Sequence, residues 1–130
     1  MGSAYAASNK EEYELQERCG KRADESFKRE YGNGIRQDKD GSTIFGYRNH
    51  YSTKLNKCFF LESSTGYTQA KDKKKTGSVM ERLFDINENK EYGIYFKRDE
   101  DNQPFTCNVE GKVCHSKKEW ETLIKPYMEE

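Results

Sequence analysis

The four cysteines, Cys19, Cys58, Cys107 and Cys114, constrain what this chain can fold into more than any other feature. An even number of cysteines in a small polar domain reads as a disulfide framework. Three connectivities are possible, and locality selects one. A two-residue turn at Glu110-Gly111 would set Cys107 directly opposite Cys114, at a Cα separation that a disulfide can bridge. Cys19 is then left for Cys58. In the loop-entropy model the long bridge contributes about 4 kcal/mol and the short one about 2.5 kcal/mol. The alternatives are four reduced thiols in a cytosolic protein, or a zinc site. The spacing contains no C-x-x-C pair to support the latter.

Such staples matter because the core is thin. Counted without tyrosine and with glycine, roughly a third of the 130 residues are apolar, against about 45–50% in an average soluble domain. The length allows one domain, residues 9–130, with a single modest core. Disorder is not indicated, since Lys+Arg and Asp+Glu are balanced at 23 each and the aromatics cluster in strand-like runs. Balanced charge also argues against a specific nucleic-acid partner. The run Lys71-Asp72-Lys73-Lys74-Lys75 is expected to be a solvated loop within a long connection, Thr65 to Ser78, and not a phosphate-binding surface.

Residues 1–8 precede the domain. Met1-Gly2 reads as an added start, and Ser3-Ala4-Tyr5-Ala6-Ala7 has the small-x-small character of a signal-peptidase site whose signal peptide has been removed. From Asn9 to Tyr31 the chain is charged on most sides, with Leu15, Cys19, Ala23, Phe27 and Tyr31 recurring as one apolar stripe, the pattern of a helix with one buried face. Gly32-Asn33-Gly34 ends it. Gln37 to Gly41 reads as a polar loop. Its spacing of aspartates resembles a calcium loop only until the twelfth position, where Asn49 stands in place of the required glutamate.

The segments Ser42–Tyr51, Lys57–Ser64, Val79–Ile86 and Glu91–Arg98 are predicted as four antiparallel strands. In the first, Phe45, Tyr47, Asn49 and Tyr51 share one face and Ile44, Gly46, Arg48 and His50 the other. The second carries apolar side chains on both faces and is placed at the centre of the sheet. The cysteine hairpin follows, and then a helix capped by Ser116 and Glu119 with Trp120, Leu123, Ile124 and Tyr127 inward and Pro126 kinking or ending it. The fold class expected is α+β: an N-terminal helix packed on a four- to five-stranded antiparallel sheet, cystatin-like by analogy, with the disulfide hairpin and a C-terminal helix added.

Candidate functional residues are few. His115 neighbours Cys114 but would point to the opposite face, and it reads as a staple against Trp120. The polar-aromatic cluster of Arg48 and His50, flanked across the strand by Tyr47 and Tyr51, is the candidate ligand site. An enzymatic alternative is a hydrolase that uses His50 with a strand carboxylate, Glu62 or Asp85. No metal site and no cofactor are expected.

The pattern Asn49-His50-Tyr51 followed by Lys54-Leu55-Asn56-Lys57-Cys58-Phe59 resembles a family of small exported bacterial proteins. The likeness extends from Cys19, Ala23 and Phe27 to the closing helix around Trp120. It implies export to the periplasm or beyond, together with the disulfides, and it brings no activity to transfer. The function expected is therefore a non-catalytic, disulfide-stabilised binding domain of the cell envelope, with a protein, a glycan or a small ligand as partner and no transmembrane segment.

Overall fold

The apolar stripe on the first segment forms helix α1 (Asn9–Tyr31), the bounds that its periodicity gave. Cys19 and Ala23 are buried on its inner face. The helix stops at Gly32, whose φ of 59° is left-handed and whose N–H donates to the Lys28 carbonyl at 2.9 Å. The computed structural model describes residues 9–69 and 75–130. The readings of the signal-peptidase site and of Lys71 to Lys74 lie outside the described residues. Lys75 is described, with its ammonium 3.6 Å from the centre of the Tyr67 ring.

Beyond α1 the chain makes an antiparallel meander of β1 (Ile35–Asp38), β2 (Gly41–Ser52), β3 (Lys57–Thr68), β4 (Thr76–Asp85), β5 (Lys90–Arg98), β6 (Thr106–Val109) and β7 (Lys112–Val113), in sheet order equal to chain order. Helix α2 (Lys117–Met128) closes the fold. The architecture is the expected α+β arrangement, but the sheet has seven strands where four to five were expected. Two differences account for this. Strand β1 runs from Ile35 into the expected polar loop as far as Asp38, and pairs with β2 through Ile35↔Ile44 and Asp38↔Gly41. The cysteine hairpin is no separate appendage, because β6 pairs with β5 and β7 with β6 along the same sheet.

Both staples form with the expected partners. Cys19 and Cys58 are bridged with their Cα atoms 5.4 Å apart, and Cys107 and Cys114 with theirs 5.0 Å apart. In the short hairpin, Glu110 and Gly111 both take positive φ, 47° and 83°, the geometry of a two-residue turn whose twist matches its strands.

The meander's alternation assigns a face to every residue. β3 lies between two helices, as its two-sided apolar pattern required. On one face Phe59 and Leu61 join Leu83, Tyr95, Val109 and the buried side of α2 in the main core. Trp120 is fully buried at its centre, and its indole N–H donates to Glu81 Oε1 at 2.7 Å. A Cβ on Gly93 would stand 3.2 Å from that indole and 2.9 Å from the Asn108 carbonyl, so only glycine lets β5 pass under α2 unstrained. On the other face the Cys19–Cys58 bridge, Tyr51 and Leu15 form a smaller core beneath α1.

Ser116 caps α2 as expected, accepting from the Glu119 N–H at 3.1 Å, while Glu119 Oε1 accepts from the His115 N–H at 3.0 Å. His115 itself is exposed. Pro126 lies in the last turn and does not end the helix, which runs to Met128.

Candidate functional site

The sheet divides the residues singled out from sequence. Arg48 and His50 lie on the α2 face of β2, Arg48 exposed and His50 half-buried with Nε2 2.9 Å from the Glu130 backbone oxygen. Tyr47 and Tyr51 lie on the α1 face. Tyr47 Oη donates to Asp24 Oδ1 at 3.2 Å, and its ring packs against Phe27 and Phe60. Tyr51 is buried opposite Cys58 and hydrogen-bonds Asn56. The four do not converge on one surface.

Nor does His50 meet a carboxylate. Glu62 pairs in register with Tyr47 and so projects from the opposite face of the sheet. Asp85 shares the face of His50, but Phe59 stands between them in the row His50↔Phe59↔Asp85. Two strand spacings make this separation about 10 Å. Asp85 is instead a structural anion, buried and held by Lys57 Nζ at 3.3 Å and the Asn87 N–H at 2.9 Å. Lys57, gripped by Glu88 and then by Asp85, titrates well above the usual lysine range.

What the register does build is a cleft on the α1 face. Two adjacent rows cross the central strands, Tyr47↔Glu62↔Arg82 and Asn49↔Phe60↔Phe84, so Phe60, Glu62, Arg82 and Phe84 form a block of neighbours on one surface. The last turns of α1 stand over this block, presenting Ser26, Phe27, Glu30 and Tyr31. With Asn89 from the β4–β5 turn they enclose a cavity of about 260 Å³. Its position follows from the helix stripe and the long disulfide together: Cys19 ties α1 to β3, and the residues two and three turns later reach the open part of the sheet.

Glu62 is the chemical centre of the cleft. Glu62 is 8% exposed, and Tyr31 Oη donates to its Oε1 at 2.5 Å. Arg82 Nη1 lies 3.9 Å from the same oxygen, while Arg82 Nε donates to Glu91 at 2.9 Å. Burial, reinforced by the hydrogen bond to Glu62, pushes the Tyr31 phenol far above its ordinary pKa. The Glu91 carboxylate raises Arg82 further still, so its charge is permanent. Around these groups runs a belt of aromatic contacts: Tyr31 stacks on Phe45 at 4.2 Å, Tyr47 on Phe60 at 5.2 Å, and Phe60 meets Phe84 at 5.1 Å.

A second cavity, of about 320 Å³, lies between the β2–β3 turn and the end of α2. Leu55, Tyr92, Pro126 and Tyr127 make it largely apolar. Lys54, Lys57, Glu110 and Glu130 also line it, two charges of each sign, and Lys57 is already engaged by Glu88 and Asp85. Among the described residues, no group of three or more His, Cys, Asp or Glu side chains is placed to hold a metal ion, and no helix is long and apolar enough to cross a membrane.

Sequence reasoning named Glu62 but gave it the wrong companions. Tyr31, Arg82 and Phe84 were not singled out, although the alternation of Phe60 with Glu62 and of Arg82 with Phe84 signals paired polar and aromatic positions on one face. The partner missing from that signal is α1, contributed from about thirty residues upstream. No family model, curated protein or solved structure matches the chain, so the cleft is interpreted from its own chemistry.

Proposed function

We propose that this protein is a non-catalytic binding domain of the bacterial cell envelope, secreted or periplasmic, that takes a small ligand in the cleft between α1 and the sheet. The observation that carries this reading is the set-up of Glu62. A carboxylate buried to this degree costs several kcal/mol unless its oxygens are engaged, and here one oxygen is tied to Tyr31 inside an aromatic cleft. Unlike the buried Asp85, which is enclosed by its own partners, Glu62 lines an open cavity, and a charge so placed is what a recognition site uses to fix a ligand's orientation. The two disulfides support the compartment, because such bonds persist where the environment is oxidising. The resemblance to small exported proteins points the same way.

Binding is favoured over hydrolysis because neither histidine lines the cleft and His50 meets neither Glu62 nor Asp85. The test is a set of amide correlation spectra of the oxidised protein, titrated with a panel of small cations, anions, monosaccharides and neutral metabolites. The reading expects saturable shifts clustered on Ser26 to Tyr31, Phe60 to Glu62 and Arg82 to Phe84. Shifts confined to another surface, or turnover of ester substrates that His50→Ala abolishes, would contradict it.

A further inference from the structure

We infer that the ligand of this cleft is a small organic cation, a primary ammonium or guanidinium group on a short carbon chain. This deepens the binding reading above and rests on it. Three features of the cleft converge on that chemistry.

The first is charge. Two carboxylates, Glu30 and Glu62, line the cavity against one base, Arg82, and that base is already engaged by Glu91. The local excess is negative, although the whole chain carries no net charge. An anion entering would meet both carboxylates with no uncommitted cation to receive it.

The second is the unused oxygen of Glu62. Oε1 accepts from Tyr31, whereas Oε2 has no hydrogen-bond partner among the described residues. No buried side-chain polar atom there is left unpaired, so Oε2 is in contact with solvent, and the cleft that Glu62 lines supplies it. An ionised carboxylate oxygen only accepts. Its complement is therefore a donor, and a charged N–H donor gives the stronger bond.

The third is the aromatic lining. Phe27, Tyr31, Phe60 and Phe84 border the cavity around a mainly polar open wall, and rings of this kind favour cations over anions beside them. The chain's own guanidinium groups already use this belt: Arg82 lies 5.8 Å from the centre of the Phe84 ring, and Arg36 5.4 Å from that of Tyr31. A cavity of about 260 Å³ suits a small headgroup, being just below the roughly 300 Å³ at which ordinary ligand pockets begin. The headgroup can belong to a free solute or to a basic side chain of another protein.

The experiment titrates the oxidised protein with n-butylguanidine, n-butylamine, n-butanol, butyrate and a capped tripeptide bearing one arginine, following amide shifts. The two cations are expected to saturate the cleft resonances while butanol and butyrate leave them unmoved. Glu62→Gln should weaken cation binding at least tenfold. Glu30→Gln, on the exposed rim, provides the same test by a smaller factor if the Glu62 variant does not fold. Arg82→Met, which removes the competing positive charge, should strengthen binding. A tripeptide that binds as tightly as butylguanidine assigns the cleft to a protein's side chain, and one that binds tenfold weaker assigns it to a free solute. Butyrate binding that Arg82→Met abolishes, or butanol binding as tight as that of the cations, would overturn the inference and leave the cleft as a binding site. No shift with any probe would overturn the inference alone, and saturable shifts confined to another surface would overturn both readings.

Discussion

Tyr31 joins helix to sheet through a single phenol. The ring stacks on Phe45 and the hydroxyl donates to Glu62, so the fold holds the neutral form, and burial with that hydrogen bond raises the pKa. The sign of the resulting pH dependence is fixed. Below the ordinary phenol pKa near 10, folded and unfolded chains both keep the proton and the stability is fully present. As pH rises beyond that value the unfolded chain ionises first, and the stability is lost progressively towards the higher folded value. In a spectrophotometric titration of the nine tyrosines, Tyr31 is expected to ionise last, behind Tyr47 and Tyr127, whose phenols burial also raises. Tyr31→Phe should remove that final step and lessen alkaline destabilisation. A titration in which the variant loses an ordinary, early-ionising phenol would show that the contact with Glu62 is absent in solution.

At the scale of elements, α2 fastens the far half of the sheet through Trp120. Removing this fully buried indole leaves a cavity under the helix and strips Glu81 of one donor, although Lys117 Nζ still reaches it at 3.0 Å. Trp120→Ala should therefore cost about 3–5 kcal/mol in chemical denaturation. A loss below about 1 kcal/mol would mean that α2 is not docked as described. Both helices were legible in the sequence because each carries an apolar stripe and a local stop or cap, Gly32 for α1 and Ser116 for α2. The central strands were legible from Phe59, Phe60 and Leu61. β1 was not, because Ile35, Arg36, Gln37 and Asp38 are all exposed and an edge strand with no buried face has no alternation to read. The cleft escaped for a different reason. Alternation tells which residues share a face, but only the docking of α1 decides which face is roofed, and Tyr31 and Glu62 are 31 positions apart.

For the molecule as a whole, the two bridges have unequal duties. Cys107–Cys114 closes a separation of 7 residues within one hairpin, whereas Cys19–Cys58 closes one of 39 and ties the wall of the cleft to its floor. Replacing both cysteines of the long bridge by alanine should cost about 4 kcal/mol, against about 2.5 kcal/mol for the short one. Only the first should broaden or shift the amides of Ser26 to Tyr31. Equal costs, or an undisturbed α1 without the long bridge, would separate the cleft from its staple. The central claim is that of an oxidised, doubly stapled binding domain, and the most direct measurement is a peptide map of the non-reduced protein, recovered from the cells that make it with thiols blocked at lysis. The account predicts no blocked cysteine and two linked peptides, Cys19 with Cys58 and Cys107 with Cys114. Blocked, free cysteines at any of these positions would contradict it.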